Sequence, residues 1–170
     1  MNEKLKLVKI NSEYCDYLRR FDKRVPYNFD KKINRPFVGI LFKVGNCKYF
    51  APLSSPKEKH LKMKNSIDFL KLDGGKLGAI NFNNMIPVRK DNIKLIDLNE
   101  DFNIISDEKY KMLLQNQIFW LNRNIEKVYS KSYKLYEKYV SKKLDSKIAK
   151  RCCNFKLLEQ KCREYKIAYV

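Results

Sequence analysis

The N-terminal part of the chain alternates apolar and polar positions over short segments, a pattern typical of β-strands with one buried face. Residues 4–10 place Leu, Val and Ile between lysines and predict the first strand. Residues 37–44 and 47–52 are rich in β-branched and aromatic residues, and Gly45 and Asn46 between them suit a two-residue turn. The sequence therefore predicts a hairpin at this position.

A second hairpin is predicted around Asp73-Gly74-Gly75, with apolar segments at 67–72 and 77–82 on either side. Shorter strands at 85–88 and 93–98 complete the predicted sheet. Pro87 has no backbone N–H to donate, so we expect its strand to lie at an edge or to begin there.

The other segments have helical spacing. From Ser12 the apolar residues share one helical face until Pro26 ends the pattern. Three further helices are predicted: from a Ser106 cap to about residue 129, at 131–143, and from an Asn154 cap over 155–166.

The pattern as a whole predicts an α+β protein, with an antiparallel sheet early in the chain and a helical C-terminal third. No Gly or Pro follows Pro87, so nothing marks a second domain, and residues 1–170 are predicted to form one domain. A chain of 170 residues with 44% hydrophobic composition can bury a substantial core.

Charge narrows the choice of partner. Lys and Arg number 37 against 19 Asp and Glu, which gives a formal net charge of +18. A field of this sign attracts polyanions. Nucleic acid is therefore the leading partner class, and an acidic membrane surface is the second.

Several classes of protein are excluded by what the sequence lacks. No apolar run approaches the roughly 20 residues of a membrane-spanning helix, and the N-terminal residues lack the layout of a secretory signal. Five cysteines without repeated spacing indicate reduced thiols in a cytoplasmic protein. The chain has one histidine, scattered carboxylates and no phosphate-binding glycine loop, so we expect no metal and no cofactor.

The segment after residue 53 gathers groups that can act on a phosphodiester. Within seven residues it holds two hydroxyls, two amines and an imidazole: Ser54, Ser55, Lys57, Lys59 and His60. Cleavage of RNA by its own 2′-OH needs proton transfer and cations near the phosphate, and no metal is required. The alternative is an ordinary surface turn in which His60 is structural.

A basic segment precedes the strand predicted at 37–44. Arg35 stands at its end, Pro36 fixes the entry into the strand, and Lys31 and Lys32 lie just upstream. A guanidinium at this place can bind a phosphate with two hydrogen bonds. Alternatively, the charge protects the end of a strand from aggregation.

A helix near the C-terminus carries lysines at spacings of three and four residues, which places them on one face. They are Lys127, Lys131, Lys134, Lys138 and Lys142, and they alternate with Tyr129, Tyr133, Tyr136 and Tyr139. Such a face can follow a phosphate backbone while the rings stack on bases. The alternative is a solvated helix flank with the tyrosines packed inward.

Three blocks of the sequence occur in a characteristic order. They are Tyr14 to Pro26, Arg35-Pro36-Phe37-Val38-Gly39-Ile40, and Lys48-Tyr49-Phe50-Ala51-Pro52-Leu53-Ser54-Ser55-Pro56-Lys57. Together they resemble the type III toxin–antitoxin endoribonucleases, the ToxN/AbiQ family. The Ala51–Lys57 block is the most specific of the three, whereas the helical C-terminal third matches only in general character.

The resemblance implies a strongly twisted antiparallel sheet surrounded by helices, distantly similar to the MazF and Kid toxins. It implies metal-independent cleavage of cellular or phage mRNA that leaves a 2′,3′-cyclic phosphate and a 5′-hydroxyl. It also implies an RNA partner, a pseudoknotted antitoxin that is encoded as a repeat and processed by the enzyme. Toxin and antitoxin would form a closed assembly, and release of the toxin during phage infection would stop growth.

The same resemblance suggests roles for individual residues. Ser55 corresponds to the loop serine that is central to activity, Ser54 stands where many members have Thr, and Lys57 is the loop lysine. Arg35 aligns with a basic residue that binds the scissile phosphate, and Tyr27 takes the place of an active-site tyrosine. The candidate RNA contacts come from the loop, the basic segment and the helix face described above: Lys31, Lys32, Lys59, His60, Lys127, Lys131, Lys134 and Lys138.

Other functions fit the residues alone. A non-catalytic RNA-binding protein would use only the charge and the tyrosines, and it would bind RNA without producing new ends. A type II mRNA interferase would be restrained by an acidic protein instead of an RNA. A peripheral membrane protein fits least well, because the 127–142 helix has tyrosines where Leu and Phe are expected.

Overall fold

A computed structural model of the protein describes residues 3–27, 35–98 and 108–166. The strands in these ranges are β1 (Lys6–Ile10), β2 (Phe37–Gly39), β3 (Lys43–Val44), β4 (Cys47–Ser54), β5 (Phe69–Lys71), β6 (Ala79–Asn81), β7 (Ile86–Val88) and β8 (Ile93–Leu95). The helices are α1 (Ser12–Arg19), α2 (Glu58–Lys62), α3 (Glu108–Arg123), α4 (Ile125–Val140), α5 (Ser146–Arg151) and α6 (Phe155–Glu164).

The strands form an antiparallel sheet in the order β5-β6-β4-β2-β1-β8, and β3 and β7 also pair with β4. The predicted hairpin at Gly45-Asn46 is confirmed as β3 and β4, and the one at Asp73-Gly74-Gly75 as β5 and β6. Pro87 lies in β7, whose pairing is with β4, so the expected edge position is also confirmed. The longest strand, β4, therefore holds four other strands in place.

The strand predicted over 37–44 is divided in two. If the register of the Phe37–Pro52 pair continued, residue 43 would lie opposite residue 46. Lys43 instead pairs with Lys48. The segment between β2 and β3 thus contains two extra residues. Both backbone groups of Tyr49 bond to this segment, since its carbonyl accepts from the N–H of residue 41 and its N–H donates to the carbonyl of residue 42, each at 3.0 Å. The bulge bends the sheet at this point.

The predicted helix from Ser106 to residue 129 is wrong in its extent. Ser106 lies outside the described residues, and the helix ends at Arg123, with α4 starting at Ile125. Asn124 interrupts the helix because its side-chain Nδ2 donates to the carbonyl of Trp120 at 2.8 Å and its backbone leaves the helical region. The two helices can then pack on the sheet in different directions.

Helix α6 closes the core against the sheet. Its predicted cap is confirmed, because Asn154 Oδ1 accepts from the N–H of Leu157 at 3.2 Å. Inside, the carboxylate of Glu159 accepts hydrogen bonds from Tyr49 of β4 (2.7 Å) and Tyr136 of α4 (2.6 Å). Around these hydrogen bonds, a continuous hydrophobic core joins the strands and the helices.

Two further predictions concern cysteines and membranes. All five cysteines are free and buried, as expected for reduced thiols. Within the described residues, no helix combines the length and apolar character needed to cross a membrane.

Candidate active site

The pairing of β2 with β4 puts Arg35 and Ser54 at the same end of the two strands. Phe37 pairs with Pro52 and Val38 with Ala51. The N–H of Leu53 donates to the carbonyl of Pro36 at 3.0 Å, which continues this register by one residue. Extended by one further residue beyond β2, this register aligns Arg35 with Ser54. Because directly opposed residues project to the same face of a sheet, the basic residue and the hydroxyl share one side at the end of β4.

The same cross-strand row extends to β5. Ser54 pairs with Ala79 of β6, and Ala79 pairs with Lys71 of β5. Ala79 itself is fully buried, so the serine and the lysine flank a covered position in this row. The sequence analysis did not identify Lys71, because its place in this row depends on two pairings between distant parts of the chain.

Asn81 is a second residue that the sequence analysis missed. Its side-chain Nδ2 donates to Oγ of Ser54 at 3.3 Å. Asn81 and Ala79 are two residues apart in β6, so they lie on the same face of the sheet. The signal in the sequence was that Asn81 is the one polar residue in the apolar segment 79–82.

The loop after β4 is exposed to solvent. Ser55, Pro56, Lys57 and Lys59 are all exposed, whereas Ser54 is half-buried. Among the described residues, the one hydrogen bond made to these side chains is that from Asn81 to Ser54. Hydroxyls and amines are therefore available at this surface.

The buried side chain of His60 holds the loop after β4 in place. Its ring is only 2% exposed, and Nδ1 accepts a hydrogen bond from the backbone N–H of Lys57 at 3.1 Å. Burial, together with the charges of Lys59 and Lys57, lowers the pKa of His60 from its ordinary value of 6.5. The imidazole is therefore neutral and fixes the position of Lys57, and its ring does not face solvent as an RNA contact would.

Arg35 is half-buried, and burial lowers the pKa of its guanidinium. No acidic residue within 3–27, 35–98 and 108–166 forms an ion pair with it. A partly desolvated guanidinium without a carboxylate partner is suited to bind an oxyanion. The predicted contacts Lys31 and Lys32 lie outside the described residues.

Tyr27 lies beside α1. Its ring is 51% exposed, and the guanidinium of Arg19 stacks over it at 4.8 Å from the ring centroid. Arg19 also donates to the carbonyl of Pro26 at 2.7 Å. The described contacts thus fix the tyrosine next to the end of α1, and its hydroxyl remains a candidate for the site.

A family model described as "Toxin ToxN, type III toxin-antitoxin system" matches residues 6–163. The chain belongs to this family. The match covers both the sheet and the C-terminal helices, so the third of the chain that resembled the ToxN family only in general character is part of the same fold.

Curated relatives agree with this assignment. The chain is 37% identical over 161 residues to the endoribonuclease ToxN of Bacillus thuringiensis subsp. kurstaki, an alignment that covers 92% of this chain and 82% of the relative. It is 33% identical over 171 residues to the endoribonuclease AbiQ of Lactococcus lactis subsp. lactis, covering 95% and 89%.

Solved structures of the ToxN family have the same fold. One, from a type III toxin–antitoxin system in which a non-coding RNA pseudoknot inhibits the toxin, is 35% identical with a TM-score of 0.80 and covers 96% of this chain and 98% of its own. Another, of the lactococcal anti-phage endoribonuclease AbiQ, is 28% identical with a TM-score of 0.81 and covers 96% and 98%.

The lysine stripe of α4 is only partly available in this member of the ToxN family. Lys127 and Lys134 are exposed and Lys138 is half-buried. Lys131 is half-buried and donates to the carbonyl of Ser66 at 2.8 Å, and burial is the main cause that lowers its pKa. Lys131 therefore holds α4 against the segment before β5.

The tyrosines of the same helix divide between the core and the surface. Tyr136 is 7% exposed and Tyr139 packs against Phe155 at 4.8 Å between ring centroids. Tyr133 is 52% exposed and forms an edge contact with Phe42. The alternation of lysines and tyrosines therefore does not produce a continuous stacking surface, and Tyr133 is the ring that faces solvent most fully.

The described part of the chain contains no group of three or more His, Cys, Asp or Glu side chains that could hold a metal ion. The groups that converge at the end of β4 are instead hydroxyls, an amide and cations. Such a set can bind a phosphate and stabilise charge that develops on it.

Proposed function

We propose that this protein is the endoribonuclease toxin of a type III toxin–antitoxin system and cleaves RNA without a metal. The observation that supports this most is that the pairing of β2 with β4 continues to Pro36 and Leu53, so that Arg35 and Ser54 stand at the same end of the two strands, where an exposed Ser-Ser-Pro-Lys loop begins. Membership in the ToxN family and relatives that are named endoribonucleases support the same function.

In the proposed reaction, the 2′-OH of the RNA attacks the adjacent phosphorus. The P–O5′ bond breaks, and the products are a 2′,3′-cyclic phosphate and a 5′-hydroxyl. The proton of the 2′-OH leaves as the bond forms, and the 5′ oxygen takes up a proton as it departs. No external nucleophile is needed, because the substrate supplies its own.

Arg35 and Lys57 would hold the scissile phosphate and stabilise the charge of its pentacoordinate state. A guanidinium remains protonated at neutral pH, so Arg35 acts through its charge. The hydroxyls of Ser54 and Ser55 would orient the 2′-OH, and Tyr27 would contact the RNA from the side of α1. Asn81 supports this arrangement because its donor fixes the Ser54 hydroxyl.

The proposed partner is an antitoxin RNA, a pseudoknot derived from a repeat, which binds the toxin in a closed assembly in the cytoplasm. The solved relative inhibited by an RNA pseudoknot supports this choice, as does the net charge of +18. The anti-phage role stated for AbiQ supports a function in abortive infection, with cellular or phage mRNA as the substrate. The small antiparallel sheet, within one domain over 1–170, is compatible with a distant relation to MazF and Kid.

The first experiment incubates the purified protein with an unstructured, adenine-containing RNA in excess EDTA and identifies the new ends. We expect 2′,3′-cyclic phosphate and 5′-hydroxyl ends from the wild type and from Ser146→Ala, a control at an exposed serine of α5. Ser55→Ala should produce none while retaining RNA binding.

The alternatives predict different results. Cleavage only after a divalent ion is added would contradict the metal-free reaction. RNA that is bound but stays intact would indicate a non-catalytic RNA-binding protein. Cleavage by Ser55→Ala at the wild-type rate would contradict the assignment of the loop.

A further inference from the structure

A second basic surface lies on the sheet away from the cleavage loop. A groove of about 590 Å³ is lined by residues of β1, β2, β4 and β8. Five lysines stand around it: Lys4, Lys6, Lys43, Lys48 and Lys90. Glu3 is the one acidic residue in the described lining. We call this surface the five-lysine groove.

The floor of the five-lysine groove is apolar. Val8 and Phe50 are buried beneath it, and Gly39 lies against the Phe50 ring so closely that a Cβ atom would come within 2.5 Å of it. The lysine stems can lie along this floor while their ammonium groups stay in water. The groove therefore presents cations on its rim above a smooth base.

These lysines are not used within the fold. In the part of the chain that the structure describes, none of the five forms an ion pair or a side-chain hydrogen bond. Five like charges around one groove repel one another, and a polyanion relieves that repulsion. The chemistry of the rim thus favours a chain of phosphates.

An aromatic surface continues the groove. An adjoining cavity of about 470 Å³ shares Glu3, Ile40 and Lys43 with it and extends to Phe42 and to Tyr133 of α4. The ring of Tyr133 is half exposed. Cations followed by an accessible ring are typical of sites for single-stranded nucleic acid, whose unpaired bases can stack.

The groove and the cleavage loop lie along the same strand. Lys48 and Ser54 are six residues apart in β4, an even number, so both project to the same side of the sheet. Six residues of strand span about 20 Å. An RNA strand of several nucleotides spans the separation between these two surfaces.

We propose that the five-lysine groove binds the phosphodiester backbone of single-stranded RNA that continues from the strand held at the cleavage loop. The proposal rests on the proposed function for the identity of that strand. It makes the groove an extended substrate site, distinct from the Arg35, Ser54 and Lys57 positions, which contributes affinity for long substrates and nothing to the cleavage of short ones.

The test compares two triple variants that remove the same charge. The groove variant is Lys6→Gln, Lys48→Gln and Lys90→Gln; the control is Lys143→Gln, Lys147→Gln and Lys150→Gln, on exposed positions at and before α5. Binding is measured from low to high salt with a long single-stranded RNA that is 2′-O-methylated and so cannot be cut. Each phosphate contact contributes about 0.7 to the slope of log K against log salt. The groove variant should lose about 2 from this slope, and the control should lose none.

Substrate length provides the second readout. With a dinucleotide, which has one phosphodiester and cannot reach the groove, we expect kcat/KM of the groove variant to equal that of the control. With a long RNA it should fall at least tenfold. Replacement of the same three lysines by Arg should restore the salt slope, because the charge is kept.

The possible outcomes separate this proposal from the proposed function. Equal slopes for the groove and control variants would overturn the groove, even if both cleave RNA. A wild type that binds RNA through the groove but cleaves neither substrate would overturn the proposed function and leave the groove supported. Equal loss on the dinucleotide and the long RNA would overturn the groove as a separate site.

Discussion

The carbonyl oxygen of Ser54 lies 1.9 Å from the point where a Cβ atom on residue 78 would stand, so only a glycine fits there. Gly78 also has a φ of +98°, a backbone conformation that other residues rarely adopt. Its absence of a side chain lets β6 approach the end of β4. The cleavage loop therefore depends on a glycine 24 residues away in the sequence.

Replacing Gly78 by Ala should displace the backbone of Ser54. We expect the free energy of unfolding to fall by about 2–4 kcal/mol, since the substitution adds both backbone strain and a clash. Urea denaturation measures this change. Gly45→Ala is the matched control, because Gly45 also has a positive φ but has no atom within 4 Å of its ideal Cβ; it should cost only about 1 kcal/mol. Equal costs would show that the clash is relieved without consequence.

Asn81 should act on cleavage through Ser54. Asn81→Leu keeps the approximate size of the side chain but removes the donor to the Ser54 hydroxyl, so we expect kcat/KM to fall about fivefold, equivalent to one hydrogen bond of about 1 kcal/mol. In a Ser54→Ala background the same substitution should have no further effect. Steady-state kinetics on all four proteins tests this coupling, and independent effects of the two substitutions would refute it.

His60 should make stability depend on pH in a defined direction. Its pKa is lower in the folded protein than the ordinary 6.5, so below pH 6.5 the unfolded chain binds a proton that the folded chain does not. The free energy of unfolding should therefore fall as the pH decreases from 6.5 to the folded pKa, and it should be unaffected by this group above 6.5.

The chain has one histidine, so no other imidazole contributes to the pH dependence of stability. Urea denaturation of the wild type is compared with His60→Asn, whose Oδ1 can also accept from the N–H of Lys57. Both proteins share the Cys162 thiol, whose pKa a hydrogen bond with Cys47 lowers to about 7, so its contribution cancels in the difference. A difference that stays constant from pH 7 to pH 5 would contradict the role of burial.

The Glu159 carboxylate should contribute to stability as an acceptor. Glu159→Leu removes the acceptor of the Tyr136 hydroxyl and leaves the Tyr49 hydroxyl only a long contact of 3.5 Å to the carbonyl of Phe155, and we expect a loss of about 2–4 kcal/mol in the free energy of unfolding. Glu159→Gln keeps an acceptor oxygen and should cost less. Lys156→Met, which removes a half-exposed partner of the same carboxylate, should cost below about 1 kcal/mol. Thermal or urea unfolding ranks the three variants, and a different order would count against this account.

Local pattern was enough to predict the hairpins but not the site. The β3–β4 hairpin follows from Gly45-Asn46 and its neighbours, because the turn and both strands are adjacent in sequence. That Arg35 and Ser54 stand at the same end of β2 and β4 depends on the register of these strands, next to the bulge at residues 40–42. Such a register is set by packing across the whole sheet, so the family resemblance, and not periodicity, indicated that these residues belong together.

Helical spacing located the face of α4 but not its environment. A 3.6-residue period shows which residues share a face, and Tyr133 and Tyr136 do so. The period does not show that Glu159 of α6 and Tyr49 of β4 pack against Tyr136. These contacts bury Tyr136, whereas Tyr133 stays exposed. Lys131 was likewise assigned to the surface, because its bond to the Ser66 carbonyl joins segments 65 residues apart.

The dependence of β4 on α6 has a consequence for the cell that makes this protein. A nascent chain emerges from the ribosome N-terminus first, so Tyr49 lacks its Glu159 partner until 110 further residues have been made. The strand that carries Ser54 is thus completed long after its own residues have left the ribosome. We expect a growing polypeptide that has not yet reached Glu159 to leave its own transcript uncut.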